Sequence, residues 1–300
     1  MSNDASQSPR KTVVEDTEKY LRKVHQEVRL VRMMSGPVVL MWWLLTVNVV
    51  FWFGAKFYGM WLGDQGLGSA YLNAEQLVFF TGMKVNEEIA AGAWWRLLSS
   101  QFVHLDLLHL LFNGYGIFVL GRFIERCYGI RRTLVIYLAS GTVGSLASFL
   151  INTSPAGGAS GAVYGLVGAA VVFGLKYRSS LPARLSKALT VGLAPWVVLS
   201  LGIGFLDAIP MDNAAHIGGL FTGAAVAWVM ASRLRQGKRR WTDRATTVLM
   251  VVAGAALVWM LAGWSAEATR CLGSAVSYEG CYPELVEQIQ MVQQRQNGGG

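Results

Sequence analysis

Long apolar stretches alternate with short polar connections along this chain, and the stretches are longer than ordinary strands. They fall at about 36–56, 104–124, 133–151, 160–175, 188–206, 214–231 and 247–264. An α-helix rises 1.5 Å per residue, so about 20 apolar residues cross a hydrocarbon core of about 30 Å. Several runs reach that length. The 160–175 run is shorter and glycine-rich, and by length alone it fits a buried or re-entrant helix equally well. The first 34 residues are polar, mixed in charge and without the apolar centre of a signal peptide. Within them, Thr17 to Val31 reads as a short amphipathic helix, suited to a partner or to the membrane surface.

Composition agrees with a membrane protein. Of 300 residues, 53% are hydrophobic and 15% charged, against about 25% charged in ordinary soluble domains. Mean hydropathy is +0.38. These values exclude a disordered chain and argue against a soluble enzyme. The 34 glycines and 11 tryptophans also suit bilayer helices and their interfaces. The net charge of +8 raises the question of nucleic acid. Its placement answers differently: Arg233, Arg235, Lys238, Arg239, Arg240 and Arg244 crowd one connection between two apolar runs. Such a cluster anchors a cytoplasmic face and attracts anionic membrane lipids. No interleaving of aromatic and basic residues suggests a nucleic-acid groove, so no nucleic-acid partner is expected.

Charge also gives the orientation. Seven Lys/Arg precede the first run. Of Lys and Arg, the 57–95 connection contains Lys84 alone, with Lys56 at its edge; the next carries Arg122, Arg126, Arg131 and Arg132. The connection at 152–159 has no charge, Lys176, Arg178, Arg184 and Lys187 fill the one after, and 207–213 holds only Asp207 and Asp212. This alternation predicts a cytoplasmic N-terminus, seven crossings and an external C-terminus, and it requires the short 160–175 run to span. Cys127 then falls at the cytoplasmic edge as a thiol. Cys271 and Cys281 fall outside, where they either pair as a disulfide or remain unpaired surface thiols.

The candidate chemistry lies in polar residues within the apolar runs, where such groups are costly. Of four histidines, His25 belongs to the polar N-terminal segment, while His104, His109 and His216 lie in or beside apolar runs. His109 and Asn113 are four apart and share a helical face, with His104 broadly toward it on the same run. Each of these has the plain alternative of bonding to neighbouring helices. No metal site is expected there.

The fourth run opens Gly157-Gly158-Ala159-Ser160-Gly161, with Tyr164 one turn on. Glycines there allow a turn and close approach to Ser160, and helix N-terminal N–H groups favour a developing negative charge. Glycine-rich packing segments produce the same string, so alone it is weak. The sixth run carries His216 three residues before Gly219, with Gly223 one turn further, a seam that brings helices close. On the predicted topology Ser160, His216, His109 and Asn113 lie at a similar depth toward the outer surface. Together they supply a nucleophile, a base and two hydrogen-bond donors for acyl transfer. A transporter would use similar groups, but no polar ladder continues through 117–121, 166–172 or 220–229.

These residues resemble the rhomboid family of intramembrane serine proteases. The likeness covers roughly 95–223: Trp95-Arg96, His104 with His109 and Asn113, Glu125 with Gly129, Gly158-Ala159-Ser160-Gly161 with Tyr164, and Ala215-His216 with Gly219 and Gly223. It implies an all-α polytopic membrane protein, with a rhomboid-like six-helix catalytic core at 35–231. A cytoplasmic segment (1–34) precedes it. A basic cytoplasmic loop (232–246), a seventh transmembrane helix (247–264) and an external tail (265–300) follow. It further implies Ser160 as nucleophile and His216 as base. His109, Asn113 and the Ser160 N–H form the oxyanion site, with Gly158 alongside, and Tyr164 packs on the base. His104, Arg96 and Glu125 hold the fold and its loops. The 57–95 connection resembles the family's first external loop, set partly into the outer leaflet. The implied activity is cleavage of transmembrane protein substrates near the outer face, in the inner (cell) membrane of a bacterium, without metal, nucleotide or organic cofactor. Oligomeric state stays open, since glycine seams serve internal packing and association alike.

Overall fold

The structure, a computed structural model, describes residues 9–64, 82–205, 211–234 and 240–273. Among them the architecture is helical, with a single isolated β-bridge between Lys84 and Ala156. The principal helices are α1 (Pro9–Met34), α2 (Leu40–Asp64), α3 (Leu107–Tyr128), α4 (Ile130–Ile151), α5 (Ser160–Lys176), α6 (Ala183–Ile203), α7 (Asn213–Val229) and α8 (Arg240–Gly273). Short helical turns at Asn86–Ala90, Arg96–Ser99 and Ser100–Phe102 lie between α2 and α3.

Five helices, α2, α3, α4, α6 and the Thr246–Gly263 part of α8, are long and apolar enough to cross a bilayer. The outer surface carries Phe112, Ile151 and Phe205, each 76% exposed. Such a surface is unfavourable in water and suited to lipid, so the chain is a polytopic membrane protein. Both α5 and α7 have 17 residues. The buried face of α5 runs nearly without interruption from Gly161 to Gly174, which explains a helix that is apolar all round and rich in glycine.

Glycine contacts fix how the central helices pack. A Cβ on Gly161 would lie 3.3 Å from the Ala215 carbonyl oxygen. Cβ atoms on Gly219 and Gly223 would strike the backbones of Gly161 and Gly165, and one on Gly168 would strike Leu220. Residue numbers rise together on both sides, so α5 and α7 run parallel at backbone contact. On α4, Gly144 meets Ala215 while the earlier Asp212 meets the later Ser148, so α4 is antiparallel to α7.

Two polar devices close the opposite end of the bundle. Glu125, fully buried on α3, accepts hydrogen bonds from the backbone N–H groups of Val39, Leu40 and Met41 at 2.8, 2.9 and 3.0 Å. A carboxylate thus satisfies the free N–H groups that open α2. Lys176, at the end of α5, donates to the carbonyls of Trp228 and Met230, the corresponding device at a helix C-terminus. Gly129, at φ 83°, makes the sharp turn between α3 and α4 that residues with side chains rarely adopt.

Several boundaries differ from the sequence reading. The N-terminal helix spans 26 residues and extends beyond Thr17–Val31 at both ends. Asp106 caps α3 by accepting the His109 N–H at 2.8 Å, so the helix begins at Leu107 and His104 lies in the turn before it, outside the helix. The α8 helix starts at Arg240, within the stretch expected to be a basic loop, and continues to Gly273. Cys127 is enclosed. Residues 65–81 of the first long connection, the Arg235, Lys238 and Arg239 part of the basic cluster, and Cys281 with its proposed pairing to Cys271 lie outside the described residues.

Candidate active site

Ser160 is the first residue of α5, so its N–H is among the four that no helical carbonyl can satisfy. The preceding Gly158 adopts φ 124°, open in practice only to glycine. Its N–H is held by the Ser100 carbonyl at 2.9 Å, and the next N–H, of Ala159, donates to Nε2 of His104 at 3.3 Å. The segment entering α5 is therefore shaped from outside, which a run of glycines needs. His104 is fully buried, and burial chiefly, with the neighbouring His109, pushes it down to about 3. It stays neutral, as an accepting nitrogen must.

His109 and Asn113 close over the same glycine. A Cβ at Gly158 would lie 2.5 Å from Nε2 and 2.6 Å from Cε1 of His109, and 3.6 Å from Nδ2 of Asn113. Their one-turn spacing is itself tied, Asn113 Nδ2 donating to the His109 carbonyl at 3.0 Å. The His104 and His109 rings meet edge-on, with centroids 5.1 Å apart. Two polar side chains of α3 thus stand beside the backbone two residues before Ser160.

On the other side of Ser160, the Tyr164 ring lies flat against the His216 ring, with centroids 4.3 Å apart and planes 9° from parallel. Ser160 and Tyr164 are four apart and share one face of α5, so that face is turned toward His216. His216 is nearly enclosed, and its Nδ1 is buried with no hydrogen-bond partner among the described residues. Stacking on Tyr164, and not a carboxylate, fixes the ring plane. Tyr164 is itself braced by α6: its hydroxyl shares a 2.5 Å hydrogen bond with Ser200 Oγ, and Trp196 lies 5.3 Å from its ring.

All seven residues singled out in the sequence, Ser160, His216, His109, Asn113, Gly158, Tyr164 and His104, therefore gather at one end of the bundle. His104 arrives from a turn, not from the helix face expected. The sequence reading does not single out Trp196 and Ser200, which brace Tyr164, and it counts Asp212 only as a connection charge, whereas Asp212 caps α7 by accepting the Ala215 N–H at 3.1 Å. Asp212-Asn213 ahead of an apolar run was a legible helix-start signal. Trp196 carries no sequence signal of its own, being one apolar residue in an apolar run.

Comparison with known proteins gives concordant matches. The family model described as Rhomboid domain matches residues 91–233. The chain is 36% identical over 219 residues to Rhomboid protease GluP of Bacillus subtilis (strain 168), covering 72% of this chain and 41% of GluP. It is 35% identical over 154 residues to RHOMBOID-like protein 6, mitochondrial, of Arabidopsis thaliana, covering 48% of this chain and 46% of that protein. It is 30% identical over 152 residues to YdcA of Bacillus subtilis (strain 168), which carries the same family name, covering 49% of this chain and 73% of YdcA. The chain thus spans less than half the length of the first two.

Proposed function

The chain belongs to the rhomboid family, and from that premise we propose that it is an intramembrane serine endopeptidase that cleaves transmembrane proteins near the outer membrane face. The Ser160 hydroxyl attacks the scissile carbonyl carbon while Nε2 of His216 takes its proton. His109, Asn113 and the Ser160 N–H stabilise the oxyanion that forms. His216 then returns the proton to the leaving amine as the C–N bond breaks, leaving an acyl ester on Ser160. Water attacks that ester, losing a proton to His216, and the ester C–O bond breaks as Ser160 recovers the proton.

One observation carries this reading: the Tyr164 ring, one turn from Ser160 on the same face, is stacked at 4.3 Å on the His216 ring. This supports a nucleophile and a base that address one another across two helices in backbone contact. Gly158 supports the oxyanion role by its position under His109 and Asn113.

Seven crossings follow from the same reading. Besides the five long helices, α5 and α7 each span, their 17 residues lying at the short end of the transmembrane range of about 17–25. Charge alternation puts the N-terminus in the cytoplasm and the Ser160 end of the bundle outside, where water reaches it. The bacterial relatives favour the inner (cell) membrane of a bacterium. A substrate helix must unwind locally before attack, since a helical carbonyl is hydrogen-bonded and covered. Single-pass proteins with small or helix-breaking residues near their outer end fit this requirement.

The test is covalent labelling in membranes with a fluorophosphonate probe. The wild-type chain is labelled, Ser160→Ala is not, and His216→Ala is labelled far more slowly. Equal labelling of wild type and Ser160→Ala refutes the assignment of the nucleophile.

A further inference from the structure

Lys84 is the lone basic residue within the first external connection, and it is fully buried. Its backbone pairs in both directions with Ala156, at 2.8 and 3.0 Å. Its Nζ donates to the carbonyls of Asn152 and Ser154 at 2.6 and 2.8 Å. Two residues on, Asn86 Nδ2 donates to the carbonyls of Phe149 and Asn152 at 3.0 and 3.3 Å. Residues 149–156, the chain between α4 and the glycines before Ser160, are therefore strapped to the 84–86 segment.

The strap also reaches the start of α7, because the Asn152 N–H donates to the Ser148 carbonyl at 2.7 Å and the Ser148 hydroxyl meets Asp212 there. Burial pushes the Lys84 ammonium down, and the charges of Asp212 and Glu87 oppose that cost. Asp212 is also the α7 cap: one carboxylate oxygen accepts the Ala215 N–H, the other accepts the Ser148 hydroxyl on α4, and its carbonyl accepts the His216 N–H at 3.0 Å. A buried charge is costly unless paired and hydrogen-bonded, and such groups serve best where they specify one arrangement. The residues between Ala156 and Ser160 have little of their own to hold them, because Gly157 and Gly158 lack side chains. Their path must be imposed by neighbours.

We propose that Lys84 is a positioning residue that sets Ser160 and His216 at a common level, through the Asn152–Ala156 segment before α5 and through Asp212 at the cap of α7. The inference rests on the Ser160–His216 reading above. Lys84 touches no reacting atom. Its effect is on alignment, and a misplacement of about 1 Å costs on the order of 10²-fold in rate.

The experiment uses the full chain reconstituted in lipid, with Ser160→Ala, Lys84→Met, Lys84→Gln and Asp212→Asn. Active sites are titrated with a fluorophosphonate, and kcat per titrated site and KM are measured on a transmembrane substrate. Lys84→Met is expected to lower kcat per site and the labelling rate about 30- to 100-fold, with KM within about threefold. Gln, which can still donate to a carbonyl, recovers part of the loss, and Asp212→Asn, which keeps the cap but not the charge, loses about tenfold. A purely structural role would reduce the number of titratable sites and leave kcat per site unchanged. That result in Lys84→Met overturns the proposal. Should Lys84→Met not fold, wild-type kcat per site in Lys84→Gln overturns it equally. Undiminished labelling of Ser160→Ala would instead remove the protease reading itself, so the two failures are distinct.

Discussion

Replacing Gly158 with alanine tests the geometry around the proposed oxyanion site most directly. At φ 124° an alanine is strained by about 1–3 kcal/mol relative to glycine. The added Cβ would also stand 2.5 Å from Nε2 and 2.6 Å from Cε1 of His109. Carbon contacts are comfortable near 3.5 Å, so either the ring or the backbone before Ser160 must retreat by about 1 Å. The ring has little room, being packed edge-on against the buried His104. A shift of that size is worth about 10²-fold in rate, or about 2.7 kcal/mol of transition-state stabilisation, similar to losing one oxyanion donor. Gly157 provides the control. Its φ is unexceptional, and a Cβ there comes no closer than 3.1 Å, to the Val103 carbonyl. Turnover per titrated active site on a transmembrane substrate should fall about 100-fold in Gly158→Ala and less than tenfold in Gly157→Ala. Equal turnover in Gly158→Ala and wild type would show that His109 and this backbone do not cooperate in the reaction.

Three further outcomes are expected. Gly223→Val should destabilise the fold by about 1–3 kcal/mol or more, because the new side chain meets the Gly165 backbone, which cannot yield. Gly54→Ala, with nothing within 4 Å, should be neutral or stabilising, and thermal unfolding in detergent that ranks the two alike would refute the seam. Glu125→Ala removes three hydrogen bonds from the start of α2 and should cost on the order of 3 kcal/mol, at about 1 kcal/mol each. Its kcat per active site should be unchanged, since Glu125 lies at the far end of the bundle, and a stability within 1 kcal/mol of wild type by denaturant titration would contradict the capping role. For topology, Cys127 is silent because it is enclosed. In a cysteine-free background an impermeant thiol reagent applied outside should label Thr153→Cys and spare Ser179→Cys, both positions being exposed, and the reverse result inverts the orientation.

The membrane helices were legible because their signal is bulk: runs near 36–56, 133–151 and 160–175 reappear as α2, α4 and α5. Helix ends were less legible, since they depend on single capping groups. Asp106 starts α3 three residues later than the apolar run begins, and this moves His104 off the helix into the turn where it meets Ala159. Arg184 and Lys187 read as loop residues, yet they lie on exposed positions of the first turns of α6, where a helix tolerates charge. The site was legible for a different reason. Its members are chemically conspicuous in apolar runs, and their helices start at one end. Lys84 was visible only as an isolated basic residue. Its partners are backbone carbonyls, which carry no sequence signature, so the strap over residues 149–156 could not have been read.

The glycine seam bears on chemistry as well as packing. Helix axes ordinarily stand 8–10 Å apart, a spacing set by the side chains between them. A serine side chain is short, and an imidazole on a second helix meets it only where that spacing shrinks. Glycines at 161, 165, 168, 219 and 223 remove the intervening side chains, and the carbonyls of Ala215 and Gly161 approach where Cβ atoms would otherwise sit. The same close approach lets Tyr164 reach across to stack on His216, one turn below Ser160. A short helix that is buried on nearly every side suits this arrangement, since lipid cannot enter between α5 and its neighbours. Widening the seam anywhere along α5 should therefore weaken the proposed meeting of the Ser160 hydroxyl and the His216 imidazole at its end, even where the substituted glycine lies two turns away.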